Sequence, residues 1–150
     1  MKKNSIIIAA CLLIVSVIVG SSFKSESNTS APKEVGIQFV ELPWAKVLEK
    51  AKKEKKPIFF DAYASWCGPC KAMQKRVFTQ PAVAEYFNKN FINYKQDMEI
   101  GEGPMLAAKY PLETYPTLFF IDAKGTIIRQ EVGGRNADDL IALGKTVVGK

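Results

Sequence analysis

The chain has 150 residues, close to the usual size of one domain, and 47% hydrophobic against 24% charged residues, the balance of a soluble globular protein and not of a disordered one. Its net charge of +6 is a mild excess that falls to +4, 19 basic minus 15 acidic residues, once Lys2 and Lys3 are set aside. There is no histidine, which removes Ser/His and Cys/His catalysis, histidine metal ligands and Cys-x-x-Cys-His haem attachment.

Met1-Lys2-Lys3 and the apolar run Ile6 to Gly20 have the charged and apolar regions of a secretory signal. As a helix the run spans about 22 Å, or about 27 Å when extended to Phe23, against a hydrocarbon core of about 30 Å. Residues 1–22 are therefore expected to be a signal peptide, with Gly20 and Ser22 spaced for cleavage before Phe23, or an uncleaved membrane anchor. Either way Lys2 and Lys3 hold the N-terminus in the cytoplasm and the domain emerges on the far side, in the periplasm or cell envelope. Ile8-Ala9-Ala10-Cys11 has the form of a bacterial lipoprotein box, although most of the apolar stretch follows the cysteine. Residues 23–34 are polar, carry a proline and show no apolar periodicity, so they read as a flexible linker to a domain over 35–150.

Ile37 to Val40 is a short strand candidate, and Pro43 can open a helix in which Trp44, Val47, Leu48 and Ala51 share a face until the lysine run Lys50 to Lys56. That run is a solvated helix end: lysine favours the last turn, and no aromatics interleave for stacking on bases, so no nucleic acid is expected. Ile58 to Tyr63 has the composition of a buried strand. Pro69 opens a helix with Met73 and Val77, and Pro81 opens another over Ala82 to Asn88. Phe91 to Lys95 is a strand, Pro104 to Tyr110 a short helix, and Thr117 to Ile121 a strand that turns at Ala123-Lys124-Gly125 into Thr126 to Val132. Asn136, with Asp139 three residues later, caps a last helix carrying Leu140, Ile141, Leu143 and Val147. The order β-α-β-α-α-β-α-β-β-α implies an α/β fold: parallel strands from the alternating units, an antiparallel pair from the closing hairpin, and helices on both faces of a mixed sheet.

With Cys11 in the leader, Cys67 and Cys70 are the only cysteines of the domain. A Cys-x-x-Cys where a strand gives way to a helix sets its first sulfur beside unpaired N–H groups and the positive end of the helix dipole, which favours thiolate. Cys67 is then the nucleophile toward a substrate disulfide, and Cys70, one turn on, resolves the mixed disulfide. A structural disulfide over so short a loop would restrain little of the unfolded chain, and a zinc site lacks two of its four ligands. Two inert core thiols remain as the third alternative, against which stands Gly68-Pro69 at a helix start.

Asp61-Ala62-Tyr63-Ala64-Ser65-Trp66-Cys67-Gly68-Pro69-Cys70-Lys71 resembles the active-site stretch of the thioredoxin superfamily, and Tyr115-Pro116-Thr117 resembles its cis-proline segment. The resemblance runs from Val35 to the C-terminus and implies a thioredoxin fold, a central mixed β-sheet flanked by helices on both faces. Lys56-Pro57-Ile58, and Gly101-Glu102-Gly103 after Asp97, are similar to exported bacterial thioredoxin-like proteins, including those akin to the C-terminal domain of the membrane electron carrier DsbD. It further implies that Pro116 follows a cis bond facing the dithiol, where composition alone favours trans, and that Tyr115, Trp66, Gly68 and Pro69 contact substrate. Asp61 matches the family's buried carboxylate, which handles the proton of Cys70; the alternative is a solvated acid at the strand edge. Asn93 stands where thioredoxins place a buried lysine, with Lys95 two residues later on the same face. The activity implied is an exported thiol-disulfide oxidoreductase, most readily a reductase because Gly-Pro lies between the cysteines. Net oxidation, isomerisation or non-catalytic binding are the alternatives. The implied partners are disulfide-containing client proteins and a membrane electron donor of the DsbD type. A monomer is expected, with the Cys67-Cys70 disulfide as redox centre and no metal or other cofactor.

Overall fold

A computed structural model describes residues 35–148 of the chain. The signal or anchor expected over 1–22, Cys11 and the linker over 23–34 lie outside the described residues.

Pro43 stands immediately before α1 (Trp44–Glu54), which turns Trp44, Val47 and Ala51 inward at helical spacing. Glu102, far along the chain, accepts the otherwise unpaired Trp44 N–H at 2.8 Å. The helix stops three residues before Pro57, with Lys55 in the left-handed region at φ 54°, and its lysines are solvated. β1 (Ile58–Tyr63) follows, then α2 (Gly68–Arg76), α3 (Pro81–Asn90), β2 (Ile92–Asp97), α4 (Gly103–Lys109), β3 (Thr117–Ile121), β4 (Ile127–Val132) and α5 (Ala137–Val148). Asn136 Oδ1 accepts the Asp139 N–H at 2.9 Å, the cap that the spacing of those two residues predicts.

The sheet order is β2-β1-β3-β4. β1 pairs with β2 in parallel and with β3 antiparallel, and β3 pairs with β4 antiparallel. Side chains alternate across β1, so the adjacent Phe59 and Phe60 serve two cores. Phe60, Phe119 and Tyr94 pack under α1 and α4 with Trp44 and Leu106. Phe59, Leu118 and Phe120 pack under α2, α3 and α5 with Met73, Phe87 and Leu140. Asp61 shares the face of Phe59.

Two expectations need correction. Ile37 to Val40 forms no strand, only a bridge from Phe39 to Asn93, because its N–H groups go to different places: Ile37 to the Phe78 carbonyl at 2.8 Å, Gln38 to the Asn88 side chain at 2.8 Å, and Val40 to Asn93 O at 2.9 Å. The second concerns β3, which runs antiparallel to β1 although an alternating βαβ order suggests parallel. α4 (Gly103–Lys109) brings the chain back beside the end of β2. The chain enters β3 at the end where β1 leaves off, with Thr117 beside Ala62.

Candidate active site

β1 ends at Tyr63, and a tight turn brings the chain into α2 with Cys67 as its N-cap residue. Cys67 N–H donates to the Ala64 carbonyl at 3.0 Å, and the Cys70 N–H donates to Cys67 Sγ at 3.1 Å. Pro69 lies in the first turn of α2, where a missing N–H leaves no helix bond unmade. Cys67 and Cys70 are joined in a disulfide, their Cα atoms 5.3 Å apart. Both are buried, packed with Ala64 against Tyr63 and Tyr115. The helix end thus directs a backbone donor and its dipole at one sulfur of a bond that can open by taking up two electrons.

The dithiol faces a second wall. Leu112 to Tyr115 lie across from Trp66 to Pro69, and the groove between them encloses about 280 Å³. The Tyr115–Pro116 peptide bond is cis, and the Pro116 carbonyl accepts the Gly133 N–H at 2.8 Å. Trp66 is 66% exposed and meets the Tyr115 ring nearly perpendicular to it, with centroids 5.8 Å apart. Gly68 and Pro69 are exposed at the lip.

Asp61 is 1% exposed, and neither carboxylate oxygen has a hydrogen-bond partner. It is no solvated edge residue. Burial pushes its carboxyl up to about 7, opposed by the Gln74 amide and by the Lys95 charge. Gln74 lies close enough to resist the rise without completing a hydrogen bond of normal geometry. Lys95 is the register partner of Asp61 on β2; it is exposed, with Nζ 5.2 Å from the centre of the Phe39 ring. Asn93 is buried and engaged elsewhere, its Nδ2 donating to Asn88 Oδ1 at 3.1 Å and to the Gln38 carbonyl at 3.4 Å.

Two acids that sequence reasoning passed over lie beside the site. Asp97, 4% exposed, accepts the Ser65 N–H at 2.9 Å and the Glu99 N–H at 3.0 Å. Glu99 accepts the Trp66 indole N–H at 2.9 Å. The available signal was the glycine pair that follows them. A Cβ on Gly103 would collide with the Asp97 and Met98 backbone, and Gly101 has φ 61°, so the two glycines fold the chain tightly over the end of β2. Among the described residues no group of three or more His, Cys, Asp or Glu is placed to hold a metal ion, and no helix is long and apolar enough to cross a membrane.

A family model described as a thioredoxin-like domain matches residues 44–147. The solution structure of a candidate disulphide-isomerase from Bacteroides thetaiotaomicron is similar at 44% identity and TM-score 0.66, covering 73% of this chain and 91% of that one. The oxidised DsbD C-terminal domain of Neisseria meningitidis is similar at 26% identity and TM-score 0.58, covering 68% and 90%. The thiol:disulfide interchange protein DsbD of Vibrio vulnificus is 36% identical over 86 residues, which is 52% of this chain and 13% of DsbD.

Proposed function

The chain belongs to the thioredoxin-like domain family, and from that premise we propose that it is an exported reductase of protein disulfides in the cell envelope. Thiol-disulfide exchange is the activity its relatives and its cysteine pair support in common; export, direction and clients are the further reading. The observation that carries it is the Cys67–Cys70 pair at the start of α2, facing the groove between Trp66 and Tyr115.

In the reduced protein the Cys67 thiolate attacks one sulfur of a client disulfide, and the other client sulfur leaves as a thiolate that takes up a proton. Cys70 then gives its proton to the Asp61 carboxylate, attacks Cys67 Sγ and releases the second client thiolate. Two electrons have moved to the client, and Cys67–Cys70 is a disulfide again. An acid with a pKa of about 7 is suited to that proton, since it both accepts and returns it near neutral pH.

Likeness to the DsbD C-terminal domain supports an electron donor of the DsbD type, which a reductant in an oxidising compartment requires. The test is reduction of insulin by the purified protein after charging with dithiothreitol. Precipitation of the insulin B chain is expected, and its absence while Cys67 is open to alkylation would sink the reading. One observation favours a second reading, isomerisation: the 44% identity to the Bacteroides candidate isomerase. The reduction potential separates the two, a reductase lying near the thioredoxin value of about −270 mV and an isomerase near about −180 mV.

A further inference from the structure

Asp97 to Glu99 run beside Tyr63 to Trp66, the residues that lead into the dithiol, and three hydrogen bonds of 2.9 Å join the two segments. Met98 N–H donates to the Tyr63 carbonyl, Ser65 N–H to Asp97 Oδ2, and the Trp66 indole N–H to Glu99 Oε2. The first two hold backbone. The third holds a side chain that is otherwise mostly in water, since Trp66 is 66% exposed. An indole so exposed would exchange among rotamers, and fixing it carries an entropic cost that a specific partner must offset.

Glu99 touches one wall of the groove, and its charge is felt at the other. It binds the Trp66 indole directly, and, after burial, its charge is the next cause holding the Tyr115 phenol above its ordinary pKa. The two rings meet at 5.8 Å and 77° beside Cys67. A polypeptide segment lying in the groove must press on these walls, whereas a small disulfide reaching Cys67 from solvent need not.

We propose that Glu99 is a positioning residue for polypeptide disulfides, acting through Trp66, which it sets against Tyr115 as a fixed wall of the groove. The proposal rests on the exchange activity proposed above. It belongs to the binding step, so it moves KM and not kcat.

The experiment measures kcat and KM for insulin, and the second-order rate constant for hydroxyethyl disulfide, with the full chain and its Glu99→Leu and Glu99→Gln variants. Glu99→Leu is expected to raise the insulin KM about fivefold, the factor given by loss of one hydrogen bond of ordinary strength. Its kcat and its rate with hydroxyethyl disulfide stay within about twofold of the original chain. Glu99→Gln keeps an oxygen that accepts from the indole while losing the charge, so it restores the insulin KM. The Trp66 indole proton exchanges faster with solvent in Glu99→Leu but not in Glu99→Gln, a readout that general loosening of the fold does not select. An unmoved insulin KM in Glu99→Leu, or equal losses on both disulfides, overturns the proposal while leaving the exchange reading intact. An unaltered chain that reduces neither disulfide overturns the exchange reading and this proposal together.

Discussion

At Asp61 a single carboxyl carries a stability cost and, in the proposed exchange, the proton of Cys70. Its pKa rises from about 4 in the unfolded chain to about 7 in the folded one, so folding favours the neutral acid. The contribution to stability is whole below about pH 4, is lost as pH rises through 7, and stays lost above it. A rise of that size corresponds to about 4 kcal/mol as an upper figure. Asp61→Asn removes the ionisable group in a similar shape, so the variant should be more stable than the original chain at about pH 8, by up to that amount, with the gap closing toward about pH 4. Urea midpoints across this range check the sign, and on the proposed mechanism insulin reduction should slow in the same variant near neutral pH, where the proton of Cys70 loses its proposed acceptor. Cys67, Cys70 and the burial of Asp61 were legible because each follows from a spacing or an apolar neighbourhood in one short stretch. Asp97 and Glu99 were not, because their partners Ser65 and Trp66 lie 32 and 33 residues away and no local periodicity encodes such a contact.

Among the elements, α4 shows how a position without a side chain can hold a site together. Gly103 opens this helix where its Cα passes against the backbone of Asp97 and Met98, the segment that grips Ser65 and Trp66. A methyl group there has backbone as its obstacle and cannot be absorbed by a side chain turning aside. Gly103→Ala should therefore cost about 2 kcal/mol or more, read as a lower urea midpoint at an unchanged m-value. Gly68→Ala is the control: its methyl meets nothing within 4 Å, and stability should stay within about 0.5 kcal/mol. Prolines and glycines of this kind made the element boundaries readable, as at Pro69, Pro81 and Gly125. What the pattern could not supply was how short elements share hydrogen bonds in three dimensions. Ile37 to Val40 has the residues of a strand, yet Asn88 and the Phe78 carbonyl claim two of its N–H groups. The direction of β3 is set by its pairing beside β1, with Thr117 opposite Ala62, which alternation of β and α does not contain.

For the whole molecule, both faces of the sheet are filled by apolar side chains, and the reactive pair lies at one end, where β1 stops and α2 begins. Such a scaffold fixes the chemistry but not the direction of electron flow, which depends on what recharges the dithiol. In an oxidising compartment a reduced pair drains into any available disulfide unless a donor restores it, and each 30 mV of mismatch in potential corresponds to about 1.4 kcal/mol for two electrons. The reductase reading thus makes a claim about the cell. Rapid acid quenching of growing cells, followed by alkylation with a mass-shifting maleimide, should find Cys67 and Cys70 mainly as thiols. In cells lacking a membrane donor of the DsbD type the same pair should be mainly a disulfide. Cys70→Ser, which cannot release a mixed disulfide, should accumulate covalent adducts through Cys67 with that donor and with clients. A pair that is mainly disulfide in both strains would reverse the direction and make this chain an oxidant, because a reductant without a supply cannot turn over more than once.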